Sequence, residues 1–146
     1  MEVAELKAQW VDREFDEARF EVSEQNMLDF AIGCGEEEPK YTDPKHPDFQ
    51  APPTFTASLT SRGRTMPAMF PRIGGRGFDA GKMVAVHAPL RPGDTLIGRS
   101  KIADIYEKTG RSGPMIFIVH EMEFRNQRDE LVSVVDWRMV RQPDPE

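Results

Sequence analysis

The chain is poor in the residues that carry most nucleophilic, redox and metal chemistry. Its 146 residues include one cysteine, Cys34, and three histidines, His46, His87 and His120. A single cysteine excludes an internal disulfide framework. The histidines match no metal-ligand spacing such as His-Glu-x-x-His, so no metal is expected. Basic residues are outnumbered, 19 Lys and Arg against 25 Asp and Glu, and the net charge of −6 argues against a general nucleic-acid binder. No apolar run approaches the roughly twenty residues of a membrane span. Met1-Glu2-Val3-Ala4-Glu5 lacks the basic start and apolar core of a signal peptide, so a cytoplasmic protein is expected. No internal repeat is visible.

What is present points to a loop-rich globular domain. Hydrophobic residues make up only 38%, and twelve prolines and eleven glycines imply much irregular chain. Residues 1–146 are expected to form a single domain, long enough to bury a core without staples. Residues 2–9 predict a short helix, because Val3, Leu6 and Trp10 share one face; it should pack Trp10 onto the domain. Residues 12–19 are charged and read as a solvated connection anchored by Phe15. A short strand at Phe20 and Val22 follows.

Residues 23–55 form the most informative stretch. Ser23 can cap a helix whose apolar face carries Met27, Leu28, Ala31, Ile32 and Cys34, the last as a small buried thiol. Gly33 and Gly35 offer a left-handed stop, and Pro39 should turn the chain away from helix geometry. His46, flanked by Asp43 and Asp48, reads as turn chemistry rather than a site. Phe55 should begin a longer helix, but Arg62-Gly63-Arg64 and the prolines at 67 and 71 leave it short or broken. Ile73-Gly74-Gly75-Arg76-Gly77 lacks the Gly-Lys-Ser/Thr of a phosphate loop and reads as a mobile turn. The second half predicts antiparallel strands over residues 83–88, 95–108, from Met115 past His120, and 131–140. His87 and His120 lie inside them as packed or surface residues. Residues 142–146 read as a disordered tail.

Phe30-Ala31-x-x-x-Gly35-Glu36-x-x-Pro39-x-Tyr41-x-Asp43, followed by Ala51-Pro52-Pro53-Thr54-Phe55 and later by Pro89-Leu90-x-Pro92-Gly93-Asp94, resembles the MaoC-like acyl dehydratases. More narrowly, it resembles their N-terminal FAS1-type dehydratase branch. The likeness runs from Phe20 to Val140. It implies an α+β hot-dog domain, an antiparallel sheet wrapped around a central helix that is shortened here. It also implies hydration or dehydration of an acyl thioester, usually on coenzyme A, with no further cofactor.

Catalytic members carry Gly-Asp-x-Asn-Pro-x-His-x-Asp at this motif, and the Asp and His activate water. Here those positions are Glu36 and Tyr41. Hydration needs a base for the attacking water, an acid for the α carbon and donors for the enolate oxygen. Histidine suits the first task, whereas a tyrosine of ordinary pKa is protonated at neutral pH. The resemblance therefore implies the non-catalytic, pocket-shaping half of a heteromeric hydratase. Its partner would be a second hot-dog chain that supplies the Asp/His pair; a homodimer is the other possible assembly. Three alternatives stand beside this reading: a self-sufficient hydratase using Glu36 with Tyr41 as a donor, a hot-dog thioesterase, and a non-enzymatic acyl-CoA binder. Candidate substrate contacts are Pro53, Thr54 and Phe55, the adaptable apolar residues Met66, Met69 and Phe70, and Arg62, Arg64, Arg72 and Arg76 for coenzyme A phosphates. A shortened central helix leaves room for a bulky acyl group such as a ring system.

Overall fold

The computed structural model describes residues 2–145. Five antiparallel strands form one sheet in the order β1-β3-β4-β5-β2: β1 (Glu14–Glu21), β2 (Arg76–Val86), β3 (Thr95–Gly110), β4 (Gly113–Arg125) and β5 (Leu131–Gln142). Helix α1 (Val3–Trp10) precedes the sheet. Helices α2 (Glu24–Gly33) and α3 (Pro39–Thr42) and a short 3-10 helix (Phe55–Leu59) lie between β1 and β2.

The even-numbered residues of β4 set the inner face. Ile116, Ile118, His120, Met122 and Phe124 alternate with outward Phe117, Val119, Glu121 and Glu123, as the two-residue period of a strand requires. Register carries this face across the sheet, with Ser133, Val135, Trp137 and Met139 of β5 opposite Phe124, Met122, His120 and Ile118. Two apolar clusters form on it. One gathers Met27 of α2, Phe55 and Leu59 of the 3-10 helix, and Leu96, Met122, Phe124 and Val135 of the sheet. The other packs Leu6 and Trp10 of α1 and Met66, Phe70 and Ile73 on Ile102, Ile105, Ile116 and Ile118. Gly98 has no side chain because Met122 lies against it: an added Cβ would meet the Met122 methyl at 2.4 Å.

Among the described residues no long helix crosses this face. The 3-10 helix covers five residues and is tied to the sheet by a buried bond in which Ser133 donates to the Thr56 hydroxyl, 2.9 Å. Residues 62–75 then run over the second cluster as an irregular strap. Gly63 allows its close approach to β1, since a Cβ there would lie 2.7 Å from the Asp16 carboxylate. The neighbouring Arg64 N–H donates to that carboxylate at 2.8 Å. Met69, in the middle of the strap, is 90% exposed.

Several sequence expectations are corrected. The charged run at 12–19 is largely strand, because β1 is an edge strand whose outward residues, Glu14, Glu17 and Arg19, sit in water. Pro39 opens helix α3 rather than ending helical geometry, since proline fits the first turn where its missing N–H costs nothing. Ile32 is 71% exposed and Cys34 is an exposed C-cap, so neither belongs to the buried face of α2. Strand β2 begins at Arg76, inside the stretch read as a mobile turn, and ends before His87. β5 extends through Gln142, whose side-chain amide donates to the Ser112 carbonyl, so that residue is not part of a loose tail; Glu146 lies outside the described residues.

Candidate functional site

The motif residues sit where α2 ends. Ser23 caps the helix by accepting from the Asn26 N–H at 3.1 Å. Gly35, at φ 72°, takes the left-handed step that lets the Glu36 N–H return to the Ala31 carbonyl at 2.9 Å. This geometry projects Glu36 half-buried beyond the helix, with no ion-pair partner among the described residues. Helix α3 then buries Tyr41, whose relative exposure is 9%. The Lys40 ammonium lies over the Tyr41 ring, 5.1 Å from its centroid. The tyrosine hydroxyl and then Glu38 hold that lysine charged above its ordinary range. A carboxylate, a buried phenol and a neighbouring cation are thus gathered at the motif, and an imidazole is not.

The two motif pieces, some forty residues apart, are clasped together by Arg91. Its guanidinium donates to the Phe49 carbonyl at 3.1 Å and to the Asp48 carboxylate at 2.8 Å. That ion pair holds Asp48 below the usual carboxylate range. The Ala51 N–H donates to the Leu90 carbonyl, 2.9 Å, which joins the Pro-Pro-Thr-Phe loop to the Pro-Gly-Asp turn. Asp94 is 4% exposed and anchors that turn by accepting from the Arg91 N–H and from Gln127. Sequence reading identified both motif pieces but not Arg91 as their clasp, because neither piece signals its partner across the fold.

Beside α2 a cavity of about 560 Å³ opens between the end of β1 and the 3-10 helix. Phe20, Phe30, Phe55 and Leu59 give it apolar walls, and Phe30 meets Phe55 edge-on at 5.4 Å. Arg19, Asn26, Asp29 and Arg62 supply its polar part. It can accommodate an apolar chain with a charged or polar end.

The expected substrate contacts divide among several places. Phe55 and Arg62 line the cavity beside α2. Pro53 and Thr54 are exposed on the loop, and Pro53 borders a small cleft against Leu90 and Val132. Met66, Phe70 and Arg72 line a cavity of about 250 Å³ under the strap, while Met69 points to solvent. Arg76 lines a third cavity, near residues 142–145. Arg64 contributes its backbone N–H to Asp16. The structure therefore does not gather the four arginines.

The histidines are also dispersed. His46 accepts from the Asp48 N–H at 3.0 Å through Nδ1, which is turn chemistry as expected. His87 is exposed just past β2. His120 is fully buried on the inner face, and burial lowers its pKa to about 4 despite the nearby Asp16 carboxylate. Among the described residues no group of three or more His, Cys, Asp or Glu could hold a metal ion, and no helix is long and apolar enough to cross a membrane.

Residues 9–135 match the family model described as FAS1-like, dehydratase domain region. A UPF0336 protein of Streptomyces coelicolor is 31% identical over 102 residues, covering 64% of this chain and 68% of that protein. A MaoC-like dehydratase from Rhodospirillum rubrum superposes with TM-score 0.66 at 24% identity, over 93% of this chain and 94% of that one. A chain of the HadBC (3R-hydroxyacyl-ACP dehydratase) complex from Mycobacterium tuberculosis superposes with TM-score 0.68 at 19% identity, over 90% and 93%.

Proposed function

This chain belongs to the FAS1-like dehydratase family, with the hot-dog fold of the MaoC-like dehydratases, and from that premise we propose that it is the non-catalytic, pocket-shaping half of a heteromeric acyl-thioester hydratase. One observation carries the proposal. The position at which the family motif carries its histidine is Tyr41, buried beneath Lys40, and His46, His87 and His120 are held elsewhere in a turn, in solvent and in the core. Near-neutral proton transfer at the motif then falls to a second chain. The likeness to a chain of the HadBC complex supports assembly with another hot-dog protein.

In this reading the cavity beside α2 takes the acyl chain, with Phe30 and Phe55 as its walls and Arg62 at its polar end. The reaction uses a coenzyme A or carrier-protein thioester and no further cofactor, in the cytoplasm. The partner docks along β2. That edge strand leaves one side unpaired and exposes Phe78, Met83 and Val86 at 50%, 56% and 50%. An unpaired, partly apolar edge is a ready template for strand addition.

The test is hydration of a panel of enoyl-CoA thioesters by the purified chain, alone and with a co-expressed hot-dog chain bearing the intact Asp/His pair. The proposal expects turnover only in the mixture. Turnover by the chain alone, abolished by Glu36→Gln, would replace it with the self-sufficient reading, for which the unpaired Glu36 is the favourable observation.

A further inference from the structure

The free side of edge strand β2 carries an ordered set of exposed side chains. Pairing with β5 sets the face of each. Phe78 and Met83 lie opposite Val140 and Asp136, on the outer face, and Asp79 and Lys82 lie opposite Met139 and Trp137, on the inner face. Both charged residues point inward because the strand bulges between them, at Ala80 and Gly81, where Gly81 takes φ 97°. Each charge is held in place. Asp79 accepts from the Gly81 N–H at 2.8 Å and from the Trp137 indole N–H at 3.0 Å. The Lys82 ammonium donates to the Ala57 carbonyl at 2.9 Å and lies 4.5 Å from the centroid of the Trp137 ring. Neither has an ion-pair partner among the described residues.

This order is its own complement. Directly opposed residues of antiparallel strands share a face, and a slip of one residue breaks that match. Let β2 lie antiparallel on a second copy, about a two-fold axis between Ala80 and Gly81. Asp79 then faces Lys82 of the second copy on the inner side, twice by symmetry. Phe78 faces Met83 of the second copy on the outer side, so residues exposed at 50% and 56% cover one another. The bulges meet at the axis without shifting the register, since both strands carry the same extra residue, and Ala80 and Gly81 are small enough to let the backbones approach. The neighbouring registers that keep the faces, two residues either way, set Asp79 against Ala80 or Val84 and leave both charges unanswered.

We infer that two copies of this chain pair through β2 in this one register, as an idle form of the protein. The self-pair occupies the edge at which the reading above docks the catalytic chain, and its consequence rests on that reading: the catalytic chain gains β2 only by displacing the second copy. Cross-strand pairs of opposite charge and of apolar side chains stabilise an antiparallel ladder, and like charges directly opposed weaken it. The acid and base at Asp79 and Lys82 therefore act as a code for the strand that docks, one that β2 itself satisfies.

The test is sedimentation velocity of the purified chain at low salt, with no substrate and no catalytic partner, so its failure leaves the proposed function to the turnover assay. The wild type should sediment as a dimer. Asp79→Lys and Lys82→Asp each set like charges against one another, and each should weaken the dimer about tenfold or more. An equimolar mixture of the two variants should dimerise again, because every charged pair across the axis is then an acid facing a base. Recovery in the mixture also shows that both variants are folded. Should either fail to fold, hydrogen exchange of the wild type decides. The β2 amides that point away from β5 should be protected at high protein concentration and exchange freely on dilution, while the β4 amides stay protected at both. A monomeric wild type, single variants that dimerise as the wild type does, a mixture that stays monomeric, or β2 amides indifferent to concentration would each overturn the inference.

Discussion

His120 couples the stability of this fold to pH. Burial lowers its pKa from 6.5 to about 4, so the unfolded chain binds a proton more readily than the folded one. The resulting contribution is complete above pH 6.5 and is lost as pH falls toward 4, about 3 kcal/mol in all. Urea melts should show about 2 kcal/mol less stability at pH 5 than at pH 8 from this group. His120→Phe should flatten that part of the profile; an unchanged profile would mean that the imidazole finds a partner in solution. Glu121 acts in the opposite sense. Burial and the facing Asp136 raise its pKa, so its protonated form is favoured in the folded state. Its contribution is complete below the ordinary glutamate pKa and is lost as pH rises through the raised folded value. Glu121→Gln should therefore stabilise the protein at neutral pH by a few tenths to about 1 kcal/mol, measured as a higher urea midpoint. Arg91 is the third residue of consequence. Arg91→Ala removes the bonds that clasp the two motif pieces, and about 1–2 kcal/mol of stability should go with them.

Elements show where the sequence was readable and where it was not. α2 was legible because Ser23 is a side-chain cap and Met27 and Ala31 recur at helical spacing; both end up buried. Its last turn was misread because Ile32 points about 100° around the helix from buried Ala31 and Cys34 is the exposed C-cap. The long β3, β4 and β5 announced themselves by alternation and by the Gly-rich turn at 110–113. β1 and β2 were legible only in part, at Phe20 and from Met83 to Val86, since the rest of these edge strands carries charge and glycine against water. The weak helix after Phe55 was correctly expected from its prolines and glycines, and its replacement by a strap is the structural consequence. Glu36 and Tyr41 were legible as motif positions, because their spacing is local. The Arg91 clasp and the buried His120 were not, because both depend on contacts between segments far apart in the chain. The edge strand also carries a prediction. Met83→Asp places a charge on the exposed face of β2, where it should block strand addition. Size-exclusion chromatography should then show loss of any dimer, with a melting temperature close to wild type.

The whole molecule is a single sheet with helices and loops on its inner face, Glu36 and Tyr41 at the end of α2 and on α3, and β2 as an edge strand. These features belong together if activity is divided between two polypeptides. The most direct measurement is enoyl-CoA hydration by the purified chain, with Glu36→Gln beside it, before and after addition of a hot-dog chain carrying Asp and His. The account predicts no turnover by either form alone and turnover by both in the mixture. Turnover by the isolated wild type that disappears in Glu36→Gln would contradict it and make this chain a complete enzyme.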